Sequence, residues 1–231
     1  MQGVGKAFGN LTALEDVDLD VQPGEVHVLL GRNGAGKTTL LRILATTVRL
    51  DRGSARVGGF DATGQAAEVR ARIGVLFGED RGWYWRLTGR HNLEFFGILR
   101  GGRRDDVRQR NEDLLAAVEL VEEASKPVGT MSSGMRARLG LARALLFDPP
   151  ALLLDEPSGH LDPLAAAEFR DRVRAVAATG TAILMSTHDL HEAASVADRV
   201  TGLDRGRISF RLPRGATAPE LEAALQRQET A

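Results

Sequence analysis

Eight consecutive residues, Gly31-Arg32-Asn33-Gly34-Ala35-Gly36-Lys37-Thr38, match the pattern G-x-x-x-x-G-K-[ST] in full. What flanks them makes the pattern restrictive. The apolar run Val26–Leu30 precedes it, and Leu40, Leu41, Ile43 and Leu44 recur after it at helical spacing. A strand that turns into a helix on glycines aims successive backbone N–H groups, and the positive end of the helix, at one place, and phosphate oxygens suit that place. Gly31, Asn33, Gly34, Ala35 and Gly36 are the expected cradle, with Thr39 beside it. Lys37 supplies a point charge to the outer phosphates and to their transfer, and the Thr38 hydroxyl is a ligand for Mg²⁺. The sequence therefore predicts a nucleoside-triphosphate site that also holds Mg²⁺.

The rest of the chain fits that constraint. Short β-rich runs alternate with helical stretches, which predicts a layered α/β fold. Expected strands are Val17–Val21, Val26–Leu30, Ala55–Val57, Ile73–Phe77, Ala151–Leu154, Ala182–Ser186, Val200–Leu203 and Arg207–Phe210. Two of these, Val26–Leu30 and Ala151–Leu154, are nearly continuous apolar runs, as in parallel strands covered on both faces. From Gly89 to Leu146 the period turns helical, with Leu114, Leu115, Val118 and Val121 on one stripe. The expectation is one domain, with an α/β core of about 1–85 and 147–231 and a helical subdomain of about 86–146.

Composition removes several classes. Lys plus Arg total 30 against 31 Asp plus Glu, a net charge of −1, so nothing attracts the chain generally to nucleic acid. There is no cysteine for disulfides or zinc–thiolate sites. No apolar run approaches the roughly 18 residues that a membrane helix needs, and no basic-then-apolar leader is present.

A second motif supports the first. Leu152-Leu153-Leu154-Asp155-Glu156 is an apolar strand ending in two carboxylates. Asp155 is placed to hold Mg²⁺, and Glu156, one residue on, to polarise an attacking water as general base.

Phosphate loops are shared by many enzymes, and the discriminating text lies between these two motifs. Met131-Ser132-Ser133-Gly134-Met135 resembles the ABC-family signature, usually written L-S-G-G-Q. It is followed by Arg138-Leu139-Gly140-Leu141-Ala142-Arg143-Ala144-Leu145 and then Asp148-Pro149. Ser158 to Pro163 resembles the D-loop, with Leu161-Asp162-Pro163, and Ser186-Thr187-His188-Asp189 resembles the H-loop switch. The resemblance runs from Phe8 to about Phe210 and is to ATP-binding subunits of ABC transporters, nearest the multidrug and polysaccharide export branch.

That resemblance implies a P-loop core with a mainly parallel sheet, an N-terminal antiparallel β part and the inserted helical subdomain. Phe8, in Lys6-Ala7-Phe8-Gly9, falls where the family stacks a ring on adenine. Ser132 and Gly134 would bind the terminal phosphate of ATP held by a second ATP-binding subunit, with Asp162 of the D-loop close to the same nucleotide. His188 would orient the water together with Glu156. Trp83-Tyr84-Trp85, which include both tryptophans and the only tyrosine, would meet a membrane subunit on a separate chain. The chain would then work in the cytoplasm, held on the inner face of the membrane by that subunit. The runner-up is a soluble ABC ATPase of translation or DNA maintenance, disfavoured by the single cassette and the short segment between Lys37 and the signature.

Three departures from the family pattern carry expectations of their own. Glu79 stands where a Q-loop glutamine is expected and is the candidate third metal-site residue. Ser133 replaces a glycine, so its backbone must avoid a glycine-only conformation or carry strain. Only Met1 to Gly5 precede Lys6, which implies a truncated first strand or a start further upstream.

Overall fold

The computed structural model describes residues 1–78 and 82–227. An antiparallel hairpin, β1 (Gln2–Phe8) and β2 (Leu11–Val17), opens the chain. It is followed by β3 (Val26–Leu30), α1 (Lys37–Leu44), the short strands β4 (Arg52–Ser54), β5 (Arg56–Val57) and β6 (Phe60–Asp61), α2 (Ala66–Arg70) and β7 (Ile73–Phe77). Next come three helices, α3 (Gly89–Leu99), α4 (Arg104–Ala117) and α5 (Ser133–Ala144), with two 3-10 turns before α5. The chain then alternates through β8 (Ala151–Asp155), α6 (Pro163–Ala178), β9 (Ala182–Thr187) and α7 (Leu190–Val196), and ends in β10 (Arg199–Asp204), β11 (Arg207–Pro213) and α8 (Ala218–Gln226).

Six strands form the main sheet in the order β11-β10-β3-β9-β8-β7, and every neighbouring pair is parallel except β10 with β11. A smaller antiparallel sheet, β2-β1-β4, lies beside it. The continuous apolar runs are explained by burial on both faces. Val26, Val28 and Leu30 of β3 join Leu152, Leu154, Ile183 and Met185 in one core with Phe169 and the later helices. Leu29 points the other way, with Leu153 and Leu184, against Leu40 and Leu41 of α1 and Val4, Leu14 and Val17 of the small sheet. All five β3 residues are buried.

Two contacts set the position of the site. Helix α5 lies directly on β7, where a Cβ on Gly74 would stand 2.2 Å from the Ala144 carbonyl oxygen. In the turn between β10 and β11, Gly206 N donates to Ala35 O at 3.0 Å while Gly206 O accepts from Glu15 N at 2.8 Å. The 31–38 loop and β2 are thus held by one residue, through the two peptide groups that flank its Cα.

The amino-terminal region differs from expectation. The strand expected at Val17–Val21 forms at Leu11–Val17, and 18–21 runs on outside any sheet. The alternating Asp residues explain the shift, because their oxygens satisfy other groups. Asp18 accepts from Gly3 N at 2.7 Å, and Asp20 holds the Arg199 guanidinium at 3.0 Å. Ahead of it, β1 spans seven residues, Gln2–Phe8.

Candidate nucleotide-binding site

Strand β3 delivers Gly31 at the carboxyl end of the parallel sheet, where Gly31 N donates to Thr187 O of β9 at 3.3 Å. Arg32, Asn33 and Gly34 are exposed, Ala35 is buried, and α1 starts at Lys37. Gly36 has φ +107°, and a Cβ there would meet Ala13 O at 2.6 Å, so no other residue fits the turn. The first amides of α1 have no partner within the helix and form the donor end that phosphate oxygens require. Thr38 and Thr39 follow, both half-buried.

Lys37 is only 4 % exposed, and the charge on its ammonium is answered from three sides. Nζ donates to Gly31 O at 2.6 Å and Arg32 O at 3.2 Å, and it pairs with Glu156 Oε1 at 3.2 Å. The other Glu156 oxygen lies 3.1 Å from His188 Nδ1, which must therefore be the protonated nitrogen toward that carboxylate. Three segments distant in sequence thus meet in one chain of contacts, Lys37–Glu156–His188.

Ser186 locks this arrangement, and sequence reasoning gave it no role. Its hydroxyl donates to Asp155 Oδ1 at 2.6 Å and accepts from Glu156 N at 3.1 Å. Glu156 N also donates to Ser186 O at 3.1 Å. Glu156 itself sits at φ +47°, a conformation that a residue with a Cβ rarely keeps without surrounding support. The signal for Ser186 was present in Ser186-Thr187-His188-Asp189, directly across the sheet from Asp155 in register.

Thr38 and Asp155 provide a hydroxyl and a carboxylate, hard oxygen donors of the kind Mg²⁺ prefers. Glu79 lies outside the described residues. Phe8 is exposed at the end of β1, and Lys6 Nζ lies 5.2 Å from its ring centroid. Asp51 anchors that lysine at 2.8 Å, and the bond holds the Asp51 carboxyl below its usual range, helped by Ala7 N.

Ser132 is exposed and caps α5, accepting from Met135 N at 3.2 Å. Gly134 is buried, and a Cβ there would touch that of Ala165 on α6 at 3.0 Å. Ser133 is the first helical residue and has no positive φ, so its side chain carries no backbone strain. Asp162 caps α6 through Ala165 N at 2.9 Å.

Trp83 is 8 % exposed and belongs to the core, which corrects the picture of three outward aromatics. Its ring carries the Arg143 guanidinium at 4.2 Å, and Phe96 lies edge-on at 6.1 Å. Burial pushes the Arg143 pKa down. Tyr84 and Trp85 remain exposed, and the Tyr84 ring lies edge-on to Phe95 at 4.6 Å.

Comparison with known proteins adds an independent line. The family model described as ABC transporter matches residues 14–159. The chain is 48 % identical to the daunorubicin resistance ATP-binding protein DrrA2 of Streptomyces coeruleorubidus, over 89 % of this chain and 64 % of that protein. It is 40 % identical to the ABC transporter ATP-binding protein NatA of Bacillus subtilis strain 168, over 86 % of this chain and 81 % of that one. The chain thus spans about two thirds of the length of the daunorubicin-resistance relative. The solved dimeric structure of MJ0796, a bacterial ABC transporter cassette, superposes with a TM-score of 0.81 at 25 % identity, covering 92 % of this chain and 97 % of that chain.

Proposed function

The chain belongs to the ABC transporter family, and from that membership we propose that it binds and hydrolyses Mg-ATP to power an exporter whose membrane-spanning part lies on other polypeptides. The carrying observation is the Lys37–Glu156–His188 contact at the mouth of the phosphate loop. Each of these groups already faces the next.

When triphosphate enters, Lys37 exchanges the Glu156 carboxylate for phosphate oxygens. Glu156, still hydrogen-bonded to His188, then takes a proton from water as the water oxygen attacks the terminal phosphorus and the bond to ADP breaks. Mg²⁺, held by Thr38 and Asp155, would neutralise charge on the phosphate oxygens. Glu79 is the candidate that replaces the Q-loop glutamine there. Phe8 stacks on the adenine with its other face backed by Lys6.

Ser132 caps a helix whose amino end is exposed, and it serves the nucleotide of a second ATP-binding subunit, with Gly134 allowing the close turn and Asp162 bordering the same interface. A dimeric cassette among the solved relatives supports that pairing. Residues of about 86–146 act as the helical subdomain that carries this signature. Among the described residues no helix is long and apolar enough to cross a membrane, so partner chains would hold the protein to the cytoplasmic face. Tyr84 and Trp85, with Phe95, are the exposed aromatics at which a membrane subunit docks. Resistance to daunorubicin in the named relative supports export as the direction.

Equilibrium titration of Lys37→Ala with Mg-ATP tests the assignment. Tight binding is expected to disappear, and unchanged affinity would overturn the phosphate-loop reading.

A further inference from the structure

Between the two segments that carry Glu156 and His188, a second contact lies deeper in the protein. The Ser158 hydroxyl donates to the Glu192 carboxylate, and both residues are buried, at 8 % and 6 % exposure. Ser158 stands two residues after Glu156, and Glu192 four residues after His188. The two segments are therefore joined at three successive levels, Asp155 with Ser186, Glu156 with His188, and Ser158 with Glu192.

His188 is the weakly held member of this set. Its side chain is 53 % exposed, and Glu156 is its one ion-pair partner among the described residues. Its backbone belongs to the joint between β9 and α7, a helix of seven residues. The first turn of α7 is tied down by Asp189, whose carboxylate accepts from Glu192 N at 2.9 Å, and Asp189 N in turn donates to Thr187 Oγ1 at 3.0 Å. Those bonds shape the turn locally. The Ser158–Glu192 bond ties the turn to the loop that carries the base.

We infer that Ser158 and Glu192 are positioning residues that hold His188 in register with Glu156 during hydrolysis. The inference rests on the proposed roles of those two groups. Ser158 and Glu192 do not touch the nucleotide in this scheme. Their loss lets the α7 turn drift relative to Glu156, and such drift lowers the rate of the chemical step while leaving the phosphate loop intact.

The test is steady-state ATPase of the full chain, with melting temperature and ATP affinity measured in parallel. Ser158→Ala removes the donor, and Glu192→Met removes the acceptor without leaving a buried unpaired charge. Each is expected to lower kcat about 10- to 100-fold, as for an ångström-scale misplacement. KM should stay within about twofold, because ground-state binding is untouched. Ser158→Thr and Glu192→Gln keep a hydroxyl donor and an oxygen acceptor and are expected to restore most of the rate. A purely structural role would lower the melting temperature without that split and rescue. Wild-type kcat in both disrupting variants, or a change confined to KM, would overturn the inference. Glu156→Gln is the control: if it too turns over normally, the fault lies in the site assignment rather than in the positioning pair.

Discussion

Replacing Glu156 by Gln is expected to tighten ATP binding while stopping turnover, and the size of the tightening follows from the Lys37 contact. The pair stands at 3.2 Å, with side-chain exposures of 4 % and 30 %. At an effective dielectric near 20 the gross attraction is about 5 kcal/mol. Desolvation of the lysine, together with solvent screening of the partly open carboxylate, offsets most of it and leaves about 1–2 kcal/mol net. An incoming triphosphate must displace that carboxylate, whereas the neutral amide is far easier to displace. Affinity should therefore rise about 5- to 30-fold, the factor those energies represent. Turnover should fall about 10²- to 10⁴-fold, as for loss of a general base. The assay is equilibrium titration of both proteins with ATP, Mg²⁺ withheld, at two well-separated protein concentrations. Equal or weaker binding by the Gln variant would refute the displacement argument. So would tightening that grows with protein concentration, because dimer formation would then be its source.

Other outcomes follow from groups already described. His27 in β3 is 1 % exposed, and burial, with the Arg199 charge nearby, pushes its pKa down from 6.5 to about 4. Its Nδ1–H donates to Asp20 O and its Nε2 accepts from the Thr201 hydroxyl, so the folded protein keeps it neutral. The unfolded chain then binds the extra proton below pH 6.5, and stability should fall by about 2 kcal/mol between pH 7 and pH 5 on this account. Denaturant titration of His27→Gln should show that slope removed. Phe8→Ala should weaken ATP binding by about 1–3 kcal/mol, the worth of one base stack, with little change in melting temperature. Trp83→Ala should destabilise the chain by about 3–5 kcal/mol in chemical denaturation. Tyr84→Ala with Trp85→Ala should leave stability within about 1 kcal/mol and instead abolish co-purification of a membrane polypeptide.

The inner strands β3, β8 and β9 were legible because they are buried on both faces and so read as nearly unbroken apolar runs. The strand-to-helix turn at Gly31–Lys37 was legible because its glycine positions admit few alternatives. The hairpin was not. The alternation Val17-Asp18-Leu19-Asp20-Val21 imitates a half-buried strand, yet Asp18 and Asp20 use their oxygens on Gly3 and Arg199 from outside any ladder. Gly9-Asn10, the two-residue link between Phe8 and Leu11, was the turn signal that would have placed β1 and β2 correctly. Trp83 could not be told from its neighbours by sequence, because three consecutive aromatics have no period. What turns it inward is Arg143, sixty positions away on α5. Ser186, Ser158 and Glu192 escaped for a related reason. Each acts through a partner on another strand or helix, and only the parallel register of β8 with β9 brings them together.

The two-sided anchoring of Gly206 affects how the molecule tolerates change. Surface turns between antiparallel strands are ordinarily the safest places for tags, epitope loops or new chain ends. Here the turn's N–H and C=O are both committed, to Ala35 and to Glu15. An insertion at Arg205–Gly206 would uncouple the 31–38 loop from β2, the strand paired with β1 and Phe8. In deuterium exchange, the amides of Glu15 and Gly206 should open together as one cooperative unit rather than fray like a loop.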